Sequence, residues 1–240
     1  MDQRGGVGVG DLVYEIGRSL YVNLTNRCVN DCVFCLRRTG PGVAGASLWL
    51  ASEPPAAEYV AAVRERDPSR YDEVVFCGYG EPLLRADVLA EVARFIRANS
   101  KTPLRVDTNG LGNLALRRDV LPELVGLVDT FSISLNAQDG ALYDTLCRPA
   151  FGPRAYPALL AFAREAVRLF PRVILTVVGV PEVDLDDCAR IASELGAEFR
   201  VREYIDSGHR DLEEGGPRSV ADSGRGDPAG GQSPPAKSGE

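Results

Sequence analysis

The sequence predicts an α/β fold in which short apolar strands alternate with amphipathic helices. Six β-type runs are nearly continuous in apolar residues, five helical segments lie between them, and polar or glycine-rich motifs follow several strands. Continuous apolar strands are typical of a parallel sheet covered on both faces, and the alternation implies right-handed crossovers. The chain therefore forms an open doubly wound sheet or an incomplete barrel, with its active site at the carboxyl ends of the strands.

The strands follow from short runs of apolar and β-branched residues. They are predicted over residues 19–24, 73–77, 104–108, 130–135, 172–180 and 199–204. The helices follow from apolar residues that recur at helical spacing. They are predicted over residues 53–65, 87–98, 118–127, 158–170 and 184–195. The third helix is the weakest because Pro122 interrupts it, and the last is the best bounded because Asp184 can cap its start and Gly196 follows its end.

Composition divides the chain into a core domain over residues 11–205 and a tail over residues 206–240. The tail holds 8 Gly, 5 Ser and 4 Pro among its 35 residues, and it has no aromatic residue. Such a segment cannot bury enough apolar surface to offset the entropy lost on ordering, so we expect it to be disordered.

Charge and histidine content exclude several classes of function. The 240 residues include 27 basic and 34 acidic side chains, and the formal charge of −7 argues against broad binding of nucleic acid or anionic lipid. The only histidine, His209, lies in the tail, so the core cannot build a Ser-His-Asp triad, a Cys-His pair or a zinc site with a histidine ligand. No apolar run is long enough to span a membrane and no signal peptide is evident. We therefore expect a cytoplasmic protein whose six cysteines are reduced.

Three of those cysteines stand close together after the first predicted strand. Cys28, Cys32 and Cys35 have the spacing C-x3-C-x2-C. Three thiolates in one loop can ligate three irons of a [4Fe–4S] cluster and leave the fourth iron open to another ligand. The alternatives are a zinc site, for which no fourth ligand is nearby, or inert buried thiols.

The cysteine motif, with Phe34 as the aromatic residue before its last cysteine, resembles that of the radical S-adenosylmethionine (SAM) enzymes. The resemblance implies a partial (βα)6 TIM-like barrel with one [4Fe–4S] cluster whose open iron binds SAM. It further implies reductive cleavage of SAM to a 5′-deoxyadenosyl radical, which abstracts hydrogen from an unidentified substrate.

Two further motifs occupy positions at which this family contacts SAM. Gly78, Tyr79, Gly80 and Glu81 follow the second predicted strand and look like the family's GGE motif, with a tyrosine in place of the second glycine. Ser134 and Asn136 end the fourth strand, where the resemblance implies contacts to the ribose or carboxylate of SAM. Read alone, the first motif is a turn and the second an ordinary polar strand end.

Longer strings carry a narrower resemblance, to the radical SAM proteins associated with TatD-type hydrolases. They are NLTNRCVNDCVFCLR, LWLASEPP, EVVFCGYGEPLLRADVL, DTNGLGNL, SISLNAQD, LCRPAFGP and FRVREY. The resemblance suggests a TatD-like hydrolase as a partner. It leaves the substrate open, either a small molecule or a macromolecule. Separately, Arg27, Arg37 and Arg38 flank the cysteine motif and either dock an acidic flavodoxin or ferredoxin as the electron donor or are solvated surface arginines.

A second hypothesis remains, namely a non-catalytic iron–sulfur or zinc protein that acts as a sensor or scaffold. Cys77 would then be the candidate fourth ligand. Cys188 falls on the apolar face of the last helix and is predicted to be core, whereas Cys77 and Cys147 either line the cavity or are buried thiols. No residue can be assigned as the acid or base that acts on the substrate.

Overall fold

The computed structural model describes residues 10–204 with the exception of residues 39 and 41. Its strands are β1 (Val13–Ile16), β2 (Ser19–Val22), β3 (Gly42–Val43), β4 (Ala46–Ser47), β5 (Glu73–Phe76), β6 (Leu104–Thr108), β7 (Thr130–Ser134), β8 (Arg172–Val178) and β9 (Glu198–Arg202). Its α-helices are α1 (Ala56–Arg66), α2 (Ala86–Asn99), α3 (Gly112–Leu116), α4 (Gly140–Cys147), α5 (Ala155–Leu169) and α6 (Leu185–Leu195). The predicted tail lies outside the described residues.

A seven-stranded sheet organises the domain, in the order β1-β2-β5-β6-β7-β8-β9. Within this sheet β2, β5, β6, β7, β8 and β9 are parallel to their neighbours, and β1 runs antiparallel to β2. Strands β3 and β4 form a separate antiparallel pair. The parallel strands follow one another in chain order, without the reversal of a doubly wound sheet. Right-handed crossovers then place every connecting helix on the same face, which is the arrangement of an incomplete barrel.

The two faces of this sheet differ in polarity. Strand residues that face the helices are apolar and join one continuous core; they include Leu20, Val74, Val106, Ile133 and Leu175. The inner face carries most of the charged and hydroxyl side chains: Glu73, Arg105, Asp107, Ser132, Ser134, Thr176, Arg200 and Arg202. A polar inner face is expected where a barrel encloses a ligand or water, since buried polar groups need partners.

Several elements differ from the sequence prediction. The predicted helix over residues 118–127 is wrong: the structure has a 3-10 turn at Leu121–Leu124, with Pro122 in its first turn. Strand β1 was not predicted; it forms a hairpin with β2 through Gly17, whose φ of 57° suits glycine. Helix α4 was also missed, although Asp139 caps it by accepting a hydrogen bond from the Leu142 backbone N–H. No helix in the described part of the chain is long and apolar enough to cross a membrane.

Candidate functional site

The cysteine motif lies in the loop that follows β2, at the carboxyl edge of the sheet. The thiols of Cys28, Cys32 and Cys35 are half-buried. A turn brings the last two together, since the Cys35 N–H donates to the Cys32 carbonyl at 3.1 Å. The Sγ of Cys28 accepts a hydrogen bond from the Asn30 N–H at 3.4 Å. The loop thus presents three thiols at the edge where barrel enzymes carry out their chemistry.

The end of helix α4 clamps this loop from one side. The N–H groups of Asp31 and Val33 donate to the carbonyls of Cys147 and Leu146, at 3.0 and 2.9 Å. The Ala150 N–H in turn donates to the carbonyl of Val29 at 2.8 Å. The first two bonds satisfy carbonyls at the helix end that have no intrahelical partner. All three bonds fix the backbone between the cysteines.

The surroundings of the thiols differ in polarity. Burial raises the pKa of Cys28 to about 11. A hydrogen bond with the Cys147 thiol, together with burial, raises the pKa of Cys32. The guanidinium of Arg37 lies against Cys35 and donates to the carbonyls of Asn26 and Asn30 at 3.3 Å. Because the thiolate is the metal ligand, this buried loop favours protonated thiols until a cation displaces the protons.

The described residues contain no group of three or more His, Cys, Asp or Glu side chains placed to hold a single metal ion. A single zinc ion requires four donors that converge on one point. A [4Fe–4S] cluster instead takes one thiolate on each iron, so its ligands do not share a common centre. Three thiols in one clamped loop, with a guanidinium beside them, fit a cluster better than a single ion.

The glycine-rich motif lies beside the cysteine loop, and its glycines are required by that contact. A Cβ at Gly80 would come within 2.3 Å of the Thr25 carbonyl and 2.5 Å of the Arg27 carbonyl. A Cβ at Gly78 would come within 2.0 Å of Asn23 Oδ1. The Glu81 N–H donates to the Arg27 carbonyl at 2.8 Å. The two motifs therefore form one backbone-packed unit.

The carboxylate of Glu81 is only 2% exposed and connects this unit to the end of β6. Oε1 accepts hydrogen bonds from the Thr108 hydroxyl at 2.6 Å and the Leu83 N–H at 3.0 Å. Oε2 accepts from the Asn109 N–H at 2.7 Å. Burial raises the pKa of Glu81 to about 7, against these hydrogen bonds, which favour the ionised form. Both of its oxygens are engaged within the protein, so its side chain holds the loop in place.

Tyr79 points away from the sheet edge. It is buried next to Tyr14 and Leu48, and its ring meets that of Trp49 edge-on with centroids 5.0 Å apart. Its hydroxyl donates to the Gly40 carbonyl at 2.8 Å. The tyrosine that departs from the glycine pattern thus packs the segment after the cysteine loop, and its backbone stays in the glycine-rich turn.

The polar end of β7 faces the interior, as its period-2 pattern predicts. Ser134 and Asn136 share one hydrogen-bond donor, Arg202 of β9, whose Nη2 lies 3.1 Å from Ser134 Oγ and 3.5 Å from Asn136 Oδ1. Asn136 adopts a left-handed backbone with φ of 60°, which asparagine tolerates better than most residues. Its Nδ2 lies 3.6 Å from the buried Sγ of Cys147.

The remaining candidates take distinct places. Phe34 is partly buried against the main core, and Cys188 is fully buried as predicted. Cys77 continues the inner face of β5, where burial and the nearby carboxylate of Asp107 raise the pKa of its thiol. Of the arginines around the cluster loop, Arg27 forms two hydrogen bonds with Glu53, and Arg38 pairs with Asp31 at 2.6 Å.

Comparison with known proteins decides the family. The model of the radical SAM superfamily matches residues 22–195, well over half of the chain. The chain belongs to the radical SAM superfamily. Enzymes of this superfamily use a [4Fe–4S] cluster and SAM, and membership assigns the same enzyme class and the same two cofactors to this chain.

Relatives of the radical SAM chain include curated enzymes and solved structures. GTP 3′,8-cyclase 2 of Mycobacterium tuberculosis is 31% identical over 83% of this chain and 55% of its own length. SuiB of Streptococcus suis has a TM-score of 0.59 at 15% identity, covering 85% of this chain and 43% of SuiB. The SAM-bound structure of anSMEcpe has a TM-score of 0.61 at 12% identity, covering 78% and 52%. The two structures share the fold, and the chain spans about half the length of the curated relatives it matches.

Two further residues at this edge lie outside the motifs of the candidate site. Asn109 ends the third predicted strand, in a sequence that is typical either of a turn or of a residue facing the cavity, and its Nδ2 lies 3.5 Å from Cys28 Sγ. Arg202 reaches Ser134 across β8, a contact between residues 68 positions apart in sequence. The only available signal was that each follows or ends a strand, at the edge where the other motifs meet.

Proposed function

We propose that this chain is a radical SAM enzyme in which Cys28, Cys32 and Cys35 hold the cluster. The proposed contacts of SAM are the backbone of the glycine-rich turn, because the side chains of Tyr79 and Glu81 are engaged within the protein. They comprise Gly78, Tyr79, Gly80 and Glu81, together with Phe34, Ser134 and Asn136. When bound, the cluster and SAM supply a 5′-deoxyadenosyl radical that abstracts hydrogen from the substrate.

One observation carries this proposal. The glycine-rich turn packs backbone to backbone against the cysteine loop, with the Glu81 N–H on the Arg27 carbonyl and the Gly80 Cα against Thr25 and Arg27. A ligand on the open iron of a cluster in that loop would lie beside the exposed backbone of this turn. The strand end with Ser134 and Asn136 completes the same edge of the sheet.

The chain's own residues support this chemistry by holding the loops rigidly. Glu81 ties the glycine turn to β6, and α4 ties the cysteine loop to the sheet. Asn109 places an amide N–H against the Cys28 sulfur. Hydrogen bonds to ligating sulfur tune the reduction potential of a cluster, so Asn109 is a positioning and tuning residue.

The electron donor, the partner protein and the substrate are proposed as chemical or protein classes. An acidic flavodoxin or ferredoxin is the donor class expected for such a cluster. Arg37 lies against Cys35 and forms no ion pair with a carboxylate among the described residues, so it is a candidate contact for that donor. Association with a TatD-like hydrolase rests on the sequence strings, and the cytoplasmic location also stays a prediction. The relatives act on GTP by name, which makes a nucleotide one substrate class to test.

Cluster assembly in cysteine variants tests the ligand set. We expect anaerobic reconstitution to give four irons in the wild type and in Cys188→Ala, and to fail in Cys28→Ala, Cys32→Ala and Cys35→Ala. Cys77→Ala should still assemble the cluster, because its thiol lies outside the cysteine loop, beside Asp107 on the inner face of β5. Loss of the cluster in Cys77→Ala would show a fourth protein ligand, and the non-catalytic alternative would then replace the proposal.

A further inference from the structure

The last parallel strand carries two arginines on its inner face. Arg200 pairs in register with Thr176 and Arg202 with Val178, residues of the inner face of β8. Two residues along a strand place successive side chains on one face about 7 Å apart. The two arginines thus lie on one face of β9 toward its carboxyl end, four strands along the sheet from β5, which precedes the glycine-rich turn.

These two arginines have no close ion-pair partner of their own in the described part of the chain. Glu198, the carboxylate that lies near Arg200, is already held by two hydrogen bonds from Arg172, at 2.8 and 2.7 Å. Arg202 donates to two neutral oxygens, those of Ser134 and Asn136. In the described chain neither Arg200 nor Arg202 forms an ion pair with a carboxylate. The other inner-face arginine, Arg105, by contrast contacts both Glu73 and Asp107.

We propose that Arg200 and Arg202 recognise an anionic oxygen group of the substrate, a phosphate or a carboxylate. The inference rests on the proposed function, which places the substrate inside the barrel next to SAM. Guanidinium groups bind such groups through paired, charge-assisted hydrogen bonds. Two cations without ion-pair partners on the inner wall create a local positive potential. This potential attracts an anionic group even though the chain has a net charge of −7.

Arg202 also sets the boundary of this anion site. Its hydrogen bonds to Ser134 and Asn136 hold it against the proposed SAM contacts, whereas Arg200 lies deeper in the sheet beside Thr176. The anionic group of the substrate would therefore bind between Arg200 and Arg202, and the rest of the substrate would extend toward SAM. This arrangement specifies the orientation of the substrate as well as its charge.

Equilibrium binding to the full-length, cluster-loaded protein saturated with SAM tests the proposal. The probes are inorganic pyrophosphate and succinate, which separate phosphate from carboxylate chemistry. We expect one of them to bind the wild type, and Arg200→Gln and Arg202→Gln each to weaken that binding about tenfold or more, as the loss of a charge-assisted hydrogen bond implies. Arg164→Gln, an equal change of charge on the exposed face of α5, should leave the affinity unchanged.

Two results would overturn the proposal. One is that neither probe binds, or that the variants bind as the wild type does. The other is that Arg200→Gln and Arg202→Gln weaken the binding of SAM itself as strongly, since the pair would then hold the carboxylate of the cofactor. Failure of the proposed function is separate, because it would appear beforehand as a wild-type protein without the absorbance of a cluster.

Discussion

The side-chain amide of Asn109 lies 3.5 Å from the Sγ of Cys28, while its backbone N–H donates to Glu81 at 2.7 Å. One residue at the end of β6 thus connects the cysteine loop with the glycine-rich turn. Its Oδ1 also accepts a hydrogen bond from the Leu111 N–H at 2.9 Å, which fixes the direction of the amide. The amide N–H is therefore held toward the sulfur before any cluster binds.

Replacing Asn109 tests this contact. Asn109→Ala removes a hydrogen bond to the Cys28 sulfur, so we expect the reduction potential of the cluster to become more negative and iron to be lost about 10-fold more readily. Potentiometric titration followed by EPR measures the first effect, and chelator competition the second. Asn99→Ala, an exposed amide at the end of α2 that bonds with the Phe95 carbonyl, is the matched control. An unchanged potential in Asn109→Ala would remove the tuning role.

The buried carboxyl of Glu81 predicts a dependence of stability on pH. Its pKa is raised from 4.5 to about 7, so between these values the folded state binds more protons than the unfolded state. The free energy of unfolding should consequently fall as pH rises from about 4.5 to 7, by about 3 kcal/mol from this group. Urea unfolding followed by the fluorescence of Trp49, the only tryptophan, measures it.

The neutral variant Glu81→Gln isolates the contribution of this carboxyl. It cannot ionise, so its stability should lose the slope in that pH range. It should also be less stable than the wild type at pH 5, by about 1–3 kcal/mol, because one amide N–H would face the Asn109 N–H. The same slope in both proteins would show that another group titrates there.

Replacing glycine by alanine should have different effects on stability and SAM binding at Gly80, which lies in the contact between the two loops, and at Gly140, which does not. Gly80→Ala would place its Cβ 2.3 Å from the Thr25 carbonyl, so the backbone must move, and we expect a loss of about 1–3 kcal/mol of stability together with weaker SAM binding. Gly140→Ala is the control: its Cβ would meet the Tyr156 Cβ at 3.6 Å, an ordinary contact, in the first turn of α4. It should keep SAM binding and gain about 0.4–1 kcal/mol. Thermal unfolding and isothermal titration with SAM compare the two.

Local patterns were sufficient for most of the sheet and for the motifs. The apolar runs located all six parallel strands, and Asp184 and Gly196 bounded α6, where the structure shows the Asp184 cap and a φ of 77° at Gly196. Helix α4 is absent from the sequence prediction because its eight residues are too few for a helical period to stand out, although Tyr143, Leu146 and Cys147 are buried at helical spacing. Pro122 cannot donate a backbone hydrogen bond and so interrupts the helix that the surrounding apolar residues favour. Residues 121–124 therefore form a 3-10 turn.

Contacts between distant elements explain the remaining differences. The resemblance places Gly80 in a motif that contacts SAM, whereas in the structure this glycine also makes room for the carbonyls of Thr25 and Arg27. That Arg202 reaches Ser134 depends on the register of three strands, which no local pattern contains. Thr25 likewise bonds with Glu53 across the loop, a pairing that the sequence alone gave no reason to expect.

Formation of 5′-deoxyadenosine is the most direct test of the proposed chemistry. The wild type and Cys32→Ala would be reconstituted anaerobically, reduced with dithionite and mixed with SAM, and the product measured by mass spectrometry. We predict 5′-deoxyadenosine from the wild type alone, because Cys32 is one of three cluster ligands. A wild-type protein with a reducible cluster that neither forms the product nor changes its EPR spectrum when SAM is added would contradict the proposed site.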